Sequence, residues 1–170
     1  MKQIFCGFMA IFFLITTSCA GKQEKVEEIG SKSVYRITLS DSFGKVASKL
    51  WTLEKIEALG KRRMSSYYFD RALKYSGTEF EAVSILKLID QFQLKNGEDA
   101  ILLNCFDDYQ GLLSLSDIYR YDLHLATKIK ISLSSSKPDW LNPLLVIVPD
   151  GENPPFEERY LTANIRELNL

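Results

Sequence analysis

The opening of the chain limits where a fold can be built. Met1-Lys2 gives a positive start, and Ile4 to Ile15, IFCGFMAIFFLI, is an unbroken apolar run. A membrane-spanning helix needs about 20 apolar residues, so this run is too short to span and has the length of a signal-peptide core. Residues 20–33, AGKQEKVEEIGSKS, are polar, charged and nearly free of large apolar groups. Such a stretch buries too little surface to offset its ordering entropy and reads as a flexible tether. A globular core must therefore come from residues 34–170. That length suffices for one domain, and the chain's 46% hydrophobic and 25% charged residues are ordinary for a globular protein.

Between run and tether stands TTSC, with small residues before Cys19. This resembles a bacterial lipobox, with Thr16 where that motif prefers Leu. The resemblance implies a lipoprotein signal peptide at 1–18, a lipidated Cys19 opening a tether over 19–33, and a globular domain over 34–170. It also implies a lipid-anchored protein of the bacterial cell envelope, attached to the membrane through its N-terminal lipid. Ala20 is not the Asp that retains lipoproteins at the inner membrane in some bacteria, so the expected site is the outer membrane, facing the periplasm. Cys6 would leave with the signal peptide and Cys19 would carry lipid. Cys105 would then be the sole thiol of the folded part, unable to form an internal disulfide and expected to be buried and inert.

Removing residues 1–18 takes away Lys2 and no acid, which leaves 20 basic and 22 acidic residues and a net charge of -2. A nearly neutral chain has no general attraction for nucleic acid. The one basic cluster, Lys61-Arg62-Arg63, reads as a solvated turn.

Periodicity supplies the elements. Alternation over Val34–Leu39 predicts a strand. LEKIEALG, 53–60, predicts a helix capped by Thr52 and ended by Gly60. MSSYYF, 64–69, is β-prone, and YSG at 75–77 is a turn. Thr78 and Glu81 make a capping-box pattern, and Phe80, Val83, Leu86, Ile89 and Phe92 recur at three-residue steps, which predicts a second helix ending at NGED, 96–99. AILLNCF, 100–106, reads as a buried strand. FDDYQG, 106–111, reads as a hairpin turn in which Tyr109 packs its ring. Residues 123–131 alternate as a half-buried strand with His124 on the polar face. LLVIV, 144–148, is an interior strand and NIRELNL, 164–170, a final one. SLSSS, 132–136, is the only low-complexity segment. The whole predicts an α+β fold, a single domain on a mixed sheet.

Few residues carry chemistry. A Ser-His-Asp arrangement needs a His held by an acid and a nucleophile beside it; Asp122 and His124 are present, but no G-x-S-x-G is, and the one His reads as a surface residue. A single His and Cys105 fall short of a zinc site. Asp107, Asp108 and Asp117 offer oxygen to a hard cation, though without EF-hand spacing, and acids beside Gly serve turns. No Gly-rich phosphate loop occurs.

Over residues 50–170 the order of features is more telling. YSGTEFEAVSILKLI precedes DAILLNCFDDYQGLLSLSDIYRYDLHLATKI, then NPLLVIVPD, then NIRELNL. Tyr75, Gly77, Asp108, Tyr109, Asp117, Leu125, Ala126, Pro143, Leu144 and Pro149 fall in a succession that resembles the oxidoreductase molybdopterin-binding domain, the sulfite-oxidase-like fold. The resemblance implies that fold and makes Asp108 and Tyr109 the candidate cofactor-facing residues. It also marks a departure: catalytic members ligate molybdenum through a Cys before the Y-x-G turn, and KRRMSSYYFDRALKYSG contains none. Ser66 and Tyr68 are the nearest other donors, and Cys105 lies beyond the helix. Asp107 and Asn142 also stand where members carry other residues. The expectation is a non-catalytic relative: no cofactor, no catalytic or metal residues, and a module that binds, or assists a redox partner in the envelope. The alternatives are a molybdopterin-dependent oxidoreductase with altered ligation, and a structural lipoprotein. The site is expected in a cleft bordered by 62–72 and 104–112.

Overall fold

The computed structural model describes residues 34–40, 46–92, 100–131, 138 and 140–169. The proposed signal peptide, Cys19, the tether, NGED and SLSSS lie outside the described residues. The strands divide between two sheets instead of sharing one. The first has the order β2-β1-β9-β5-β6, with β1 Val34–Ser40, β2 Val46–Thr52, β5 Ala100–Cys105, β6 Gln110–Ser114 and β9 Ile165–Asn169. The second has the order β3-β4-β7-β8, with β3 Arg62–Ser65, β4 Glu79–Ser84, β7 His124–Lys130 and β8 Leu145–Ile147. Only the first sheet is mixed: β9 runs parallel to β1 and antiparallel to β5. The fold is therefore α+β.

The main core lies where both sheets turn apolar residues inward. Ile101, Leu103, Leu113, Ile165 and Leu168 come from the five-stranded sheet, and Val83, Leu125 and Val146 from the other. The C-terminal strand is central to this arrangement, because Leu168 sits opposite Leu103 on one side and Ile37 on the other. Alternation along β8 sends Leu145 and Ile147 the other way, into a second cluster with Phe69, Phe80, Ala82 and Ala126. The four-stranded sheet thus packs apolar side chains on both faces, most completely at β8, where all three residues are buried.

Short helices join these strands. α1, Leu53–Glu57, starts where Thr52 Oγ1 accepts from the Lys55 N–H at 3.3 Å. α2, Tyr67–Leu73, is capped by Ser66 and ends at Lys74 in the left-handed conformation. It corrects the β-prone reading of MSSYYF: the strand stops at Ser65, and Phe69 is withdrawn into the second cluster, edge-on to Phe80 at 5.0 Å. The helix predicted from Thr78 to NGED is corrected too, as far as Phe92, where the described residues pause. Its first half is β4, pairing with both β3 and β7, and only Ile85–Ile89 is helical, as α3. The three-residue apolar step is produced here by a strand that sends Phe80 and Ala82 to one cluster and Val83 to the other before it runs into one helical turn. α4, Leu115–Arg120, went unpredicted; Ser114 Oγ caps it by accepting from the Asp117 N–H at 3.0 Å. Among the described residues no helix is long and apolar enough to cross a membrane.

Candidate functional site

The FDDYQG hairpin joins β5 to β6 and is closed by Cys105 N–H donating to the Tyr109 carbonyl at 2.9 Å. Its left-handed residue is Asp108, φ 64°. Asp tolerates that region because its short side chain hydrogen-bonds locally. Its neighbour Asp107 supports the turn in another way, accepting from the Tyr109 N–H at 3.4 Å. Gly111 matters for a different reason. It lies in β6, and a Cβ there would stand 2.5 Å from Thr162 Oγ1.

The turn contributes to a cleft of about 250 Å³, lined by Leu73, Asp107, Tyr109, Trp140, Glu158 and residues Leu161–Ala163. The hairpin wall is where the sequence places it. The rest of the lining comes from the Trp140 loop, the 3-10 turn Glu158–Leu161 and Leu73 at the end of α2; none of residues 62–72 lines it. Tyr109, expected to pack its ring, is 40% exposed, and Trp140 is 45% exposed. Both aromatics therefore present surface to the cleft, beside the carboxylates of Asp107 and Glu158. Partial burial and the nearby Glu158 raise the Tyr109 pKa. Asp108 points elsewhere, its Oδ1 lying 3.6 Å from Arg166 Nη2 at a largely exposed position. Of the two candidates, only Tyr109 lines the cleft.

The three acids offered for a cation are not brought together. Asp117 pairs with Arg159 at 3.4 Å, on α4, away from Asp108 and its Arg166 partner. Among the described residues no group of three His, Cys, Asp or Glu is placed to hold a metal.

The side chains named from the sequence as the nearest other donors, Ser66 and Tyr68, are committed to the fold. Ser66 is buried; its hydroxyl donates to the Val148 carbonyl at 2.6 Å and accepts from the Phe69 N–H at 3.1 Å. Ser65 bonds Asp150, which also accepts from the Tyr67 N–H at 2.6 Å. Tyr68 donates to the Pro155 carbonyl at 3.0 Å and accepts from the Glu157 N–H at 2.9 Å, with its ring between Phe156 and Tyr160. Cys105 is fully buried, and its thiol is pushed up to about 11, first by burial and then by the charge of Asp107. A high-valent metal on dithiolene sulfurs needs a presented, deprotonated ligand, and these residues do not fit that role.

His124 departs most from its sequence reading. It is 1% exposed, not a surface residue. Nδ1 lies 2.5 Å from the Asp122 carbonyl oxygen, which can only accept, and Nε2 lies 2.7 Å from Arg62 Nη2, which can only donate. The two neighbours assign a neutral ring with its proton on Nδ1. Its pKa is lowered, chiefly by burial, against the raising effect of Asp122. With both nitrogens bonded, the ring has no lone pair left for a nucleophile, and no Ser-His-Asp relay is assembled around it.

No family model matches the chain, and no curated protein matches it.

Proposed function

We propose that this chain is a lipid-anchored protein of the bacterial envelope whose folded part acts by binding, as an accessory to a redox partner, on a scaffold of the molybdopterin-binding-domain type. The anchor rests on TTSC and the apolar run before it. The observation that carries the binding role is Ser66. At the position where a ligating side chain would be wanted, the residue is an internal N-cap joined to Val148, and it serves the fold. The cleft between Tyr109 and Trp140 offers flat aromatic surface and two carboxylates, which suit recognition. At about 250 Å³ it lies below the roughly 300–1,000 Å³ of pockets that enclose a cofactor-sized ligand.

Three measurements test this reading. Protein purified from the envelope of its native host should carry substoichiometric molybdenum and pterin; one equivalent of either would favour an oxidoreductase with altered ligation. A pull-down from detergent-solubilised envelope should recover a redox enzyme, whereas recovery of none would favour a structural lipoprotein. For the anchor, Cys19→Ala should release the protein from membranes or block its maturation. Unchanged lipid labelling in that variant would overturn the assignment.

A further inference from the structure

The basic triplet Lys61-Arg62-Arg63 reads in sequence as a solvated turn, but the fold sends its charges to three places. Lys61 lies 2.8 Å from both Glu57 and Glu81, whose two carboxylates more than offset its charge. Arg63 lines a mixed-charge depression with Glu79, Glu81 and Lys128. Arg62 opens instead on a separate cavity of about 180 Å³, which it shares with Gly60, Ser84, Lys87, Asp122 and His124.

The charges in that cavity do not cancel. Asp122 Oδ2 takes Arg62 Nη2 at 3.1 Å, and the same nitrogen donates to His124 Nε2. Those two contacts use both hydrogens of Nη2. Of the five guanidinium donors, the three on Nε and Nη1 stay outside them. The ammonium of Lys87 has no carboxylate within ion-pair distance among the described residues. It lies close over Gly60, where a Cβ would stand 2.6 Å from Nζ. Gly60 has φ 116°, so the backbone that clears this space also favours glycine. With the imidazole neutral, one unit of positive charge remains.

We propose that this cavity binds a small oxyanion, a phosphate or sulfate group, between the Lys87 ammonium and the unused edge of the Arg62 guanidinium. A planar fork and a point charge on one wall are the pair of cations such groups take. The volume admits one tetrahedral oxyanion with a few waters at roughly 30 Å³ each, and excludes a nucleotide. The group is either the free ion or the exposed end of a monoester. The charged groups facing His124 are Arg62 from β3, Lys87 from α3 and Asp122 from the turn before β7. A bound anion adds negative charge beside the ring and favours its protonated form. By reciprocity, the anion binds more tightly as pH falls.

The chain has one histidine, so its imidazole gives a single reporter signal. The full chain, isotope-labelled at histidine and kept in detergent, is titrated with inorganic phosphate against chloride at constant ionic strength. A saturable shift of the imidazole resonances is expected, with the apparent His124 pKa raised by phosphate. Lys87→Met, a change at an exposed position, should weaken phosphate binding about tenfold. Lys87→Arg should restore it, and Lys61→Met should leave it unaltered. Glycerol 3-phosphate run in parallel separates the two sources: tighter binding than phosphate points to a monoester end, weaker binding to the free ion. A linear, non-saturating response to both anions overturns the proposal, as does equal affinity in Lys87→Met.

Discussion

Nε2 of His124, on β7, accepts a hydrogen bond at 2.7 Å from Nη2 of Arg62, on β3, across the end of the strand that separates them. The bond exists only while the ring is neutral, because a protonated ring has no acceptor and would face a guanidinium. His124 has a folded-state pKa below its ordinary 6.5, so the unfolded chain binds more protons through this group. Its contribution is therefore complete above about pH 6.5 and is lost as pH falls through the lower folded value. Thermal melts of the unmodified chain between pH 7.5 and 5 should show a declining Tm. His124→Gln, which keeps hydrogen-bonding capacity without a titrating proton, should flatten that decline. A variant that declines as steeply would place the acid sensitivity in the carboxylates instead.

Gly111 and Thr162 pack so closely that a methyl group at 111 would also meet Thr162 Cγ2 at 3.2 Å and Cβ at 3.3 Å. Gly111→Ala should cost about 1–3 kcal/mol, as overpacking of a buried contact does. Thr162 is buried and its hydroxyl donates to the Arg159 carbonyl at 3.0 Å, so it cannot swing aside freely. Adding Thr162→Ala should recover part of the loss, giving a coupling of roughly 0.5 kcal/mol or more in a double-mutant cycle read by denaturant unfolding. Strict additivity would show that β6 shifts away from the 3-10 turn to admit the methyl group.

How far the fold could be read in advance depended on whether a segment's local signal and its tertiary role agreed. Val34–Leu39 lies in a strand, and AILLNCF and LLVIV became strands because burial in a sheet is also what packing asks of them. Thr52 capped its helix because capping is local. EFEAVSILKLI misled because its apolar steps suit one helix, while its place between β3 and β7 demands a strand; pairing on both sides outweighs a capping pattern. His124 misled for the same reason. Alternation put it on the polar side of β7, and nothing local showed that Arg62 and Asp122 would enclose it. In the candidate site, Tyr109 could be found from its hairpin. Trp140 and Glu158 reach the cleft through loops, and that convergence has no signature in spacing.

Ser66 offers a direct check on whether the β3–α2 junction is structural. Its hydroxyl satisfies a helix N–H and a carbonyl from the segment after β8. Ser66→Ala removes an N-cap and strands a buried carbonyl, which should cost about 1–2 kcal/mol in urea unfolding. Ser66→Thr keeps the hydroxyl and should lose less. If Ser66→Ala instead left stability unchanged, the hydroxyl would be free for another role, that of a metal ligand included.

Cys105 gives the last test, because burial and reactivity are coupled through its thiolate. Burial comes first in raising its pKa to about 11, and the negative charge of Asp107 adds to it. At pH 8 a thiol with that pKa is about one part in a thousand ionised, against roughly a quarter for a free cysteine with a pKa near 8.5. The thiolate is the nucleophile, so a disulfide reagent should modify the folded protein more than about a hundredfold more slowly than the same protein in denaturant. Asp107→Asn removes only the smaller of the two causes and should quicken the reaction slightly, whereas unfolding should release it fully. Because lipidation would consume Cys19 and cleavage would remove Cys6, the mature chain should show one reactive thiol after unfolding. Rapid labelling of the folded chain would mean that the end of β5 opens toward the hairpin, bringing a sulfur donor within reach of the Tyr109 cleft.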